Sequence, residues 1–334
     1  MSFIKRSQNH SLNNIERFNL NDFEIGVKIA RYNYGYIAFC KKLTTKKLYA
    51  IKIFKKSAII QNKFAEHVYN EYTNFLQIYH PFIIDFYGIN TTDPKYLYFL
   101  FEYILGEPLK MLIKKSKKLP LEYAQFYTAS LITILDYLHK KKIIYRDLKA
   151  ENIIINENGY IKLTDFSFSK KINNDFTYSL VGSPEYYSPE MINQGGYNKS
   201  VDFWQLGILL YEMVVGYTPF YDSEPMKLYQ KIKSGKISFP KNFNKNAKLI
   251  IKHFLNVVVN KRLGCTKRGV LEIVEEPFFD NFDWEGLLHR SLTPPFIPKV
   301  NRDNYNFNGK FLDDMKSSEN VIAIPKEKDI FYNW

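Results

Sequence analysis

Tyr145-Arg146-Asp147-Leu148-Lys149-Ala150-Glu151-Asn152 is the stretch on which the reading of this chain turns. Asp147 can accept a proton from a hydroxyl nucleophile, Lys149 can neutralise charge on a transferring phosphoryl group, and Asn152 can hold a metal ion. The stretch precedes two apolar runs, residues 153–155 and 160–163, which flank Asn158-Gly159, a strong short-range hairpin signal. Thirteen residues beyond Asn152 stands Asp165-Phe166-Ser167, whose carboxylate would complete a Mg²⁺ site built from oxygen ligands. A polar loop without chemical meaning is the bland alternative. Asp, Lys, Asn and Asp bracketing an apolar strand pair in this order argue against it.

Outward from that stretch, the hydrophobic period changes near residue 102. Upstream, residues 23–29, 36–42, 48–55, 84–89 and 96–103 are β-rich runs, and residues 63–79 carry Val68, Tyr72, Phe75 and Tyr79 at helical spacing. Downstream, residues 121–141 and 200–215 read as apolar or amphipathic helices. Residues 1–22 are polar and Asn-rich and read as a loose arm, while Pro, Asn and charge dominate from residue 282. The expectation is an α+β chain: a small β-rich lobe over 23–102, a larger helical lobe over 103–280 and an extended tail over 281–334.

Composition sets the limits. The chain has 334 residues, of which 46% are hydrophobic and 17% aromatic, so a sizeable core can form and wholesale disorder is excluded. Two cysteines, Cys40 and Cys265, cannot build a disulfide framework or a structural zinc site, which fits a reducing compartment. The opening MSFIKRSQNH has no apolar core segment, so no secretion signal is expected, and no run of apolar residues is long enough for a membrane span. The net charge is +13. The lysines are spread along the chain, with clusters only at 114–118 and 140–142, which reads as a solvated basic surface rather than a nucleic-acid site.

Further motifs join the loop. Tyr49-Ala50-Ile51-Lys52 ends the third β-rich run, and Lys52 is a lone cation in a buried strand, costly unless paired. Glu71 lies in the helix that follows. Ser188-Pro189-Glu190, Asp202-Phe203-Trp204 and Arg262 come later. Together these resemble the eukaryotic protein kinases, and residues 23–280 can be laid along the kinase domain without large gaps. Tyr145 in place of His, Gly182-Ser183-Pro184-Glu185-Tyr186, Pro295-Phe296-Ile297-Pro298 and the terminal Phe331-Tyr332-Asn333-Trp334 are similar to the AGC group, closest to the cAMP-dependent protein kinase catalytic subunits.

The resemblance implies a bilobal kinase fold whose small lobe carries one key helix, and transfer of the ATP γ-phosphoryl group to Ser or Thr of proteins. Lys52, Glu71, Asp147 and Lys149 are then the catalytic set, and Asn152 and Asp165 the Mg²⁺ ligands. Ile29, Gly35, Ile37, Ala50, Lys52, Phe101, Glu102, Ile154 and Thr164 contact the nucleotide. Glu190 and Arg262 are a structural ion pair. Ser179 matches the phosphorylated residue of the activation segment, with Arg146, Lys170 and His67 as the phosphate's partners, the phosphate coming from an upstream kinase or from autophosphorylation. Ile322 and Ala323 occupy the stretch where a second phosphosite is expected. Phe331 and Trp334 dock on the small lobe and brace the helix of Glu71.

For substrates, Glu151 and Glu212 match acids that bind an arginine two residues before the acceptor, and Glu185 belongs to the same acidic set. Pro108, with Glu107 beside it, holds the position for an arginine three residues before, which weakens that demand. Leu180, Pro184 and Tyr187 line a pocket for an apolar residue after the acceptor. The resemblance leaves room for a cyclic-nucleotide-binding regulatory subunit, with Tyr178 placed where it would dock. The cytoplasm is the expected compartment, with the nucleus a second.

Two departures open an alternative. The glycine-rich loop reads Ala30-Arg31-Tyr32-Asn33-Tyr34-Gly35, so only the last glycine survives, and Tyr32 should crowd the nucleotide or force the loop away. Asp165-Phe166-Gly has become Asp165-Phe166-Ser167. A pseudokinase or scaffold is therefore the competing reading. Neither change removes a catalytic group, and an active enzyme with weakened ATP affinity is the expectation.

Overall fold

The computed structural model describes residues 16–32, 34–172, 176–300 and 321–334. Contacts divide the described residues into two compact units, the first within 16–79, 84–105 and 321–334, the second within 80–83 and 106–300. Each is described by itself.

The first unit is β-rich. Strands β1 (Glu16–Arg17), β2 (Phe23–Tyr32), β3 (Gly35–Lys42), β4 (Leu48–Lys55), β5 (Phe86–Asn90) and β6 (Tyr96–Glu102) form one sheet in the order β1-β5-β6-β4-β3-β2. All neighbours run antiparallel except β1 and β5. Alternation along the strands gives the sheet two faces. Tyr36, Ala38, Ile51, Ile53, Tyr98 and Leu100 form one apolar cluster, which Val321 of the tail joins. On the other face Phe99 and Phe101 meet Tyr72 and Phe75, two residues of α2 (Ala65–Phe75). A short helix α1 (Lys56–Gln61) links β4 to α2.

Two expectations change here. Residues 1–15 lie outside the described residues, but Glu16 to Asp22 is not a loose arm. β1 pairs with β5, and Phe18 and Leu20 pack against the sheet cluster, which satisfies their backbone and apolar groups. The helix expected over 63–79 is shorter, Ala65–Phe75.

The second unit is mainly helical. It contains β7 (Gly106–Pro108), α3 (Leu109–Ser116), α4 (Leu121–Lys140), β8 (Ile143–Ile144), β9 (Ile153–Asn156), β10 (Ile161–Leu163), β11 (Lys170–Lys171), α5 (Pro189–Ile192), α6 (Ser200–Val215), α7 (Pro225–Ser234), α8 (Lys245–Phe254), α9 (Val270–Val274) and α10 (Trp284–Leu288). α6 is buried nearly all round, between α4 and α8. Gly216, in the left-handed region at φ 100°, ends it, and its amide caps the Glu212 carbonyl. No helix among the described residues is long and apolar enough to cross a membrane. Both cysteines are free thiols.

Candidate functional site

In the first unit the centre is Lys52. Its register opposite Ile37 on β3 and Phe99 on β6 fixes it in mid-sheet. Its Nζ meets Glu71 at 2.8 Å, with side-chain exposures of only 7% and 1%. Glu71 reaches Lys52 because it shares a buried face of α2 with Val68 and Phe75. A buried ammonium held by a carboxylate keeps a fixed positive charge at this point of the sheet, which favours an anion beside it.

The altered loop is a tight continuation of the β2–β3 hairpin, with Tyr32 paired to Gly35. A Cβ at Gly35 would fall 1.8 Å from the Ile53 carbonyl oxygen, so close strand approach alone requires glycine there. Tyr32 turns its hydroxyl to that same carbonyl, donating at 2.9 Å, and its ring centroid lies 5.5 Å from Lys52 Nζ. The ring thus packs over the cation rather than pointing away from the sheet. Of the other expected nucleotide contacts in this unit, Ile29 is 51% exposed, whereas Phe101 is buried against Phe75 and Phe86. Ala50 stands in register with Phe101, and Glu102 accepts from the Asp85 amide.

The C-terminal residues close against the same unit. Phe331 is fully buried, and Trp334 stacks on Tyr72 with its ring 6.2 Å away and nearly parallel. Lys56 pairs with Asp329 at 2.5 Å, and Arg17 donates to the Trp334 carbonyl at 2.8 Å. The aromatic end therefore rests on the helix that carries Glu71. His67 of that helix stacks on Phe64.

In the second unit the loop after β8 is suspended from α6. Asp202 Oδ2 and Oδ1 accept from the amides of Tyr145 and Arg146, at 3.0 and 2.8 Å. Gln205, three residues on, accepts from the Leu148 amide and donates to the Arg146 carbonyl. His139 holds Asp202 from behind at 2.7 Å. These clamps support a backbone that is otherwise unfavourable: Arg146 has φ +71° and Asp165 has φ +52°. Sequence reasoning placed Asp202 only as a helix start and missed Gln205 and His139. The signal for Gln205 was its place three residues after Asp202 on a mostly apolar helix, whereas His139 lies on another helix, α4.

The loop's functional groups gather as a consequence. Lys149 Nζ lies 2.8 Å from Asp147 Oδ2 and donates to Ser183 Oγ at 3.0 Å. Asn152 uses its amide nitrogen on the Asp147 carbonyl and carboxylate, both at 2.9 Å. Thr164 donates from its amide and hydroxyl to the Asn152 carbonyl, tying Ile154 and its strand to the segment of Asp165. Burial pushes the Asp147 carboxyl above its ordinary value, Lys149 opposes this, and the charge of Asp165 adds to it. Asp165 is exposed, and Ser167 donates its hydroxyl to Asp165 Oδ1 at 2.6 Å. Gly182, at φ +98°, passes so close that a Cβ would sit 2.9 Å from the Arg146 carbonyl and 3.2 Å from Asp147 Oδ1.

Among the described residues no three His, Cys, Asp or Glu side chains gather into a metal cage. With the Asn152 nitrogen engaged, its amide oxygen and the Asp165 carboxylate offer hard oxygen donors. That set suits Mg²⁺, which takes one or two protein oxygens and draws the rest from phosphates and water.

Arg146 is fully buried. It donates to the Phe168 carbonyl at 2.6 Å, and its Nη1 lies 3.0 Å from Ser179 Oγ and 3.1 Å from the Tyr197 hydroxyl. Its Nη2 meets no acceptor among the described residues. Ser179 itself is exposed, and Lys170 sits in β11 opposite Ile144. Leu180 and Pro184 are exposed, while Tyr187 is buried with Ile144, Met191, Tyr197 and Val201. Glu185 accepts from the Thr218 hydroxyl. Glu190 receives Arg262 on both oxygens, at 2.5 and 2.9 Å.

The family described as "Protein kinase domain" matches residues 23–279. The chain is 36% identical over 317 residues to the human cAMP-dependent protein kinase catalytic subunit PRKX, covering 95% of this chain and 88% of that one. It is 38% identical over 289 residues to cAMP-dependent protein kinase catalytic subunit 3 of Drosophila melanogaster and 41% over 271 residues to the Dictyostelium discoideum catalytic subunit. Those matches cover 86% and 81% of this chain. It spans about half the length of these two relatives, 49% and 42%.

Proposed function

The chain belongs to the protein kinase family, in the AGC group beside the cAMP-dependent kinase catalytic subunits, and from that premise we propose that it phosphorylates serine and threonine hydroxyls of proteins. The observation that carries this reading is the Asp147–Lys149–Asn152 cluster hung from Asp202 and Gln205, because a fold kept only for scaffolding has no need to hold a lysine and an asparagine each within 3 Å of one buried aspartate.

Each residue then has a part. Mg²⁺-ATP, when bound, supplies the γ-phosphoryl group and the charge that its transfer moves. Lys52, oriented by Glu71, would grip its phosphates, and Asn152 and Asp165 would hold the metal. Asp147 orients the acceptor hydroxyl and takes up its proton, since its carboxylate is buried beside the loop rather than solvated. Lys149 balances charge on the group in flight. The Ser183 hydroxyl positions Lys149.

Ser179 is the regulatory phosphosite in this reading. A dianion on its exposed oxygen would meet the Arg146 guanidinium, whose second nitrogen awaits an acceptor, in a charge-assisted contact that orders the segment. Substrates are peptides with upstream arginine, received by Glu151 and Glu212. A cyclic-nucleotide-binding regulatory subunit is the partner the relatives' names suggest.

The test is radiolabelled ATP with an Arg-containing serine peptide, comparing the full chain with Asp147→Ala. Removing a positioned acid–base group should cost about 10²–10⁴-fold in turnover. Equal incorporation by both proteins would overturn the reading, and a wild type that neither melts higher with Mg²⁺-ATP nor labels the peptide would favour the scaffold.

A further inference from the structure

The acids assigned to substrate arginine already have a cation of this chain. Lys110, in the first turn of α3, places its Nζ 2.7 Å from Glu212 Oε1 and 3.4 Å from Glu151 Oε1. The Glu212 side chain is only 1% exposed, and its other oxygen accepts the Tyr186 hydroxyl, so both of its oxygens are engaged internally. Burial of the Lys110 stem pushes its pKa down, but the two carboxylates outweigh this and hold it above the ordinary value, so the ammonium stays charged near neutrality. The same helix also pairs the acid beside Pro108, with Lys115 Nζ 2.6 Å from Glu107 Oε1.

We propose that Lys110 is a specificity-determining residue, the resident counter-ion of the Glu151–Glu212 pair, and that it competes with the guanidinium of an incoming substrate arginine. This rests on the assignment of those two acids to substrate arginine made above. Two carboxylates alone would attract a guanidinium with two charges; with Lys110 in place the pair carries one. Lys110 is 43% exposed on a flexible stem, so it can swing aside, and the planar fork of an arginine fits a carboxylate better than an ammonium does. Arginine is therefore accepted but not demanded, and substrates lacking it are penalised less than an unpaired acid pair would penalise them.

The experiment uses the full chain as wild type, Lys110→Ala and Lys110→Arg. Two fluorescent serine peptides, identical except for Arg or Ala two residues before the serine, are titrated by anisotropy, and phosphorylation of both is followed in parallel. In Lys110→Ala the affinity ratio of the Arg over the Ala peptide should rise about tenfold, the size of one charge-assisted hydrogen bond. Lys110→Arg, which keeps the charge, should return the ratio to within about twofold of wild type. An unchanged or smaller ratio in Lys110→Ala overturns the proposal, as does a lower ratio with a lowered melting temperature, which would make Lys110 only a structural counter-ion. A rise in the binding ratio without phosphorylation of either peptide would sustain this inference and remove the kinase activity instead.

Discussion

The Lys56–Asp329 contact allows a sharp test of what seats the aromatic end. The two side chains are 0% and 4% exposed and 2.5 Å apart, and Lys56 donates a second bond to the Thr91 carbonyl at 2.8 Å. At an effective dielectric near 20 their direct attraction is about 7 kcal/mol, much of it offset by taking both ions out of water. Removing one partner leaves a buried charge unpaired, at a cost of about 3–5 kcal/mol. The end has an escape, because undocking returns Asp329 to water, so no single change can cost more than deletion of residues 329–334. That deletion forfeits the burial of Phe331, about 1.5–3 kcal/mol, as well as the pair. Lys56→Met, Asp329→Leu, the double variant and the deletion are compared by urea denaturation, with acrylamide quenching of tryptophan fluorescence to read release of Trp334 from Tyr72. Each single variant should approach the deletion in both readouts. The double variant, with an apolar pair of similar volume, should recover to within about 1–2 kcal/mol of wild type. Single losses below about 1 kcal/mol that simply add in the double variant would refute the reasoning.

Three further outcomes are expected. Asp147 acts as a carboxylate but its pKa is raised, chiefly by burial, so turnover should fall with decreasing pH through a value above the ordinary 3.8; Lys149→Ala, which removes the opposing cation, should move that acid limb to still higher pH in a kcat–pH profile. Tyr32→Gly releases the Ile53 carbonyl and uncovers Lys52, and calorimetry should show Mg²⁺-ATP binding tightened roughly fivefold, about the worth of one hydrogen bond, whereas unchanged or weaker binding would show that the ring does not compete. Burial pushes the Glu190 carboxyl up, but Arg262 outweighs this and holds it below its ordinary 4.5. The pair's stabilisation is therefore present above pH 4.5 and fades as pH falls through the lowered value, and Arg262→Ala should cost about 3–5 kcal/mol at neutral pH and less in acid, read by denaturation at each pH.

Several elements were legible because their signals are local. The helix over 200–215 matches its expected bounds, since an apolar run ends at a glycine that alone tolerates the left-handed cap. β4 ends at Lys55 as the β-branched run does. The misses have equally physical causes. α1 is six residues, too short for a periodic signal, and β2 runs three residues past its expected end because pairing with β3 carries it on to Tyr32. The Asn158-Gly159 signal did mark a hairpin, with Gly159 at φ +83° and β9 paired to β10. The departure at Tyr32 was visible in the sequence. Its consequence was not, since the acceptor of its hydroxyl lies 21 residues away on another strand.

By itself the sequence determined which chemical groups this protein owns and their order: a lysine in a strand, a glutamate in a helix, and the Asp, Lys, Asn and Asp of two adjoining loops. Side-chain identity and short spacing suffice for that, because they dictate local geometry. Only the tertiary structure decided how those groups are held and charged: Asp202 and Gln205 clamping a strained loop more than fifty residues upstream, Asp329 seated on Lys56, and Lys110 neutralising acids that otherwise look open. Such contacts join residues far apart in the chain. Their energies depend on burial and on angstrom-scale approach, which chain topology sets and local pattern does not record.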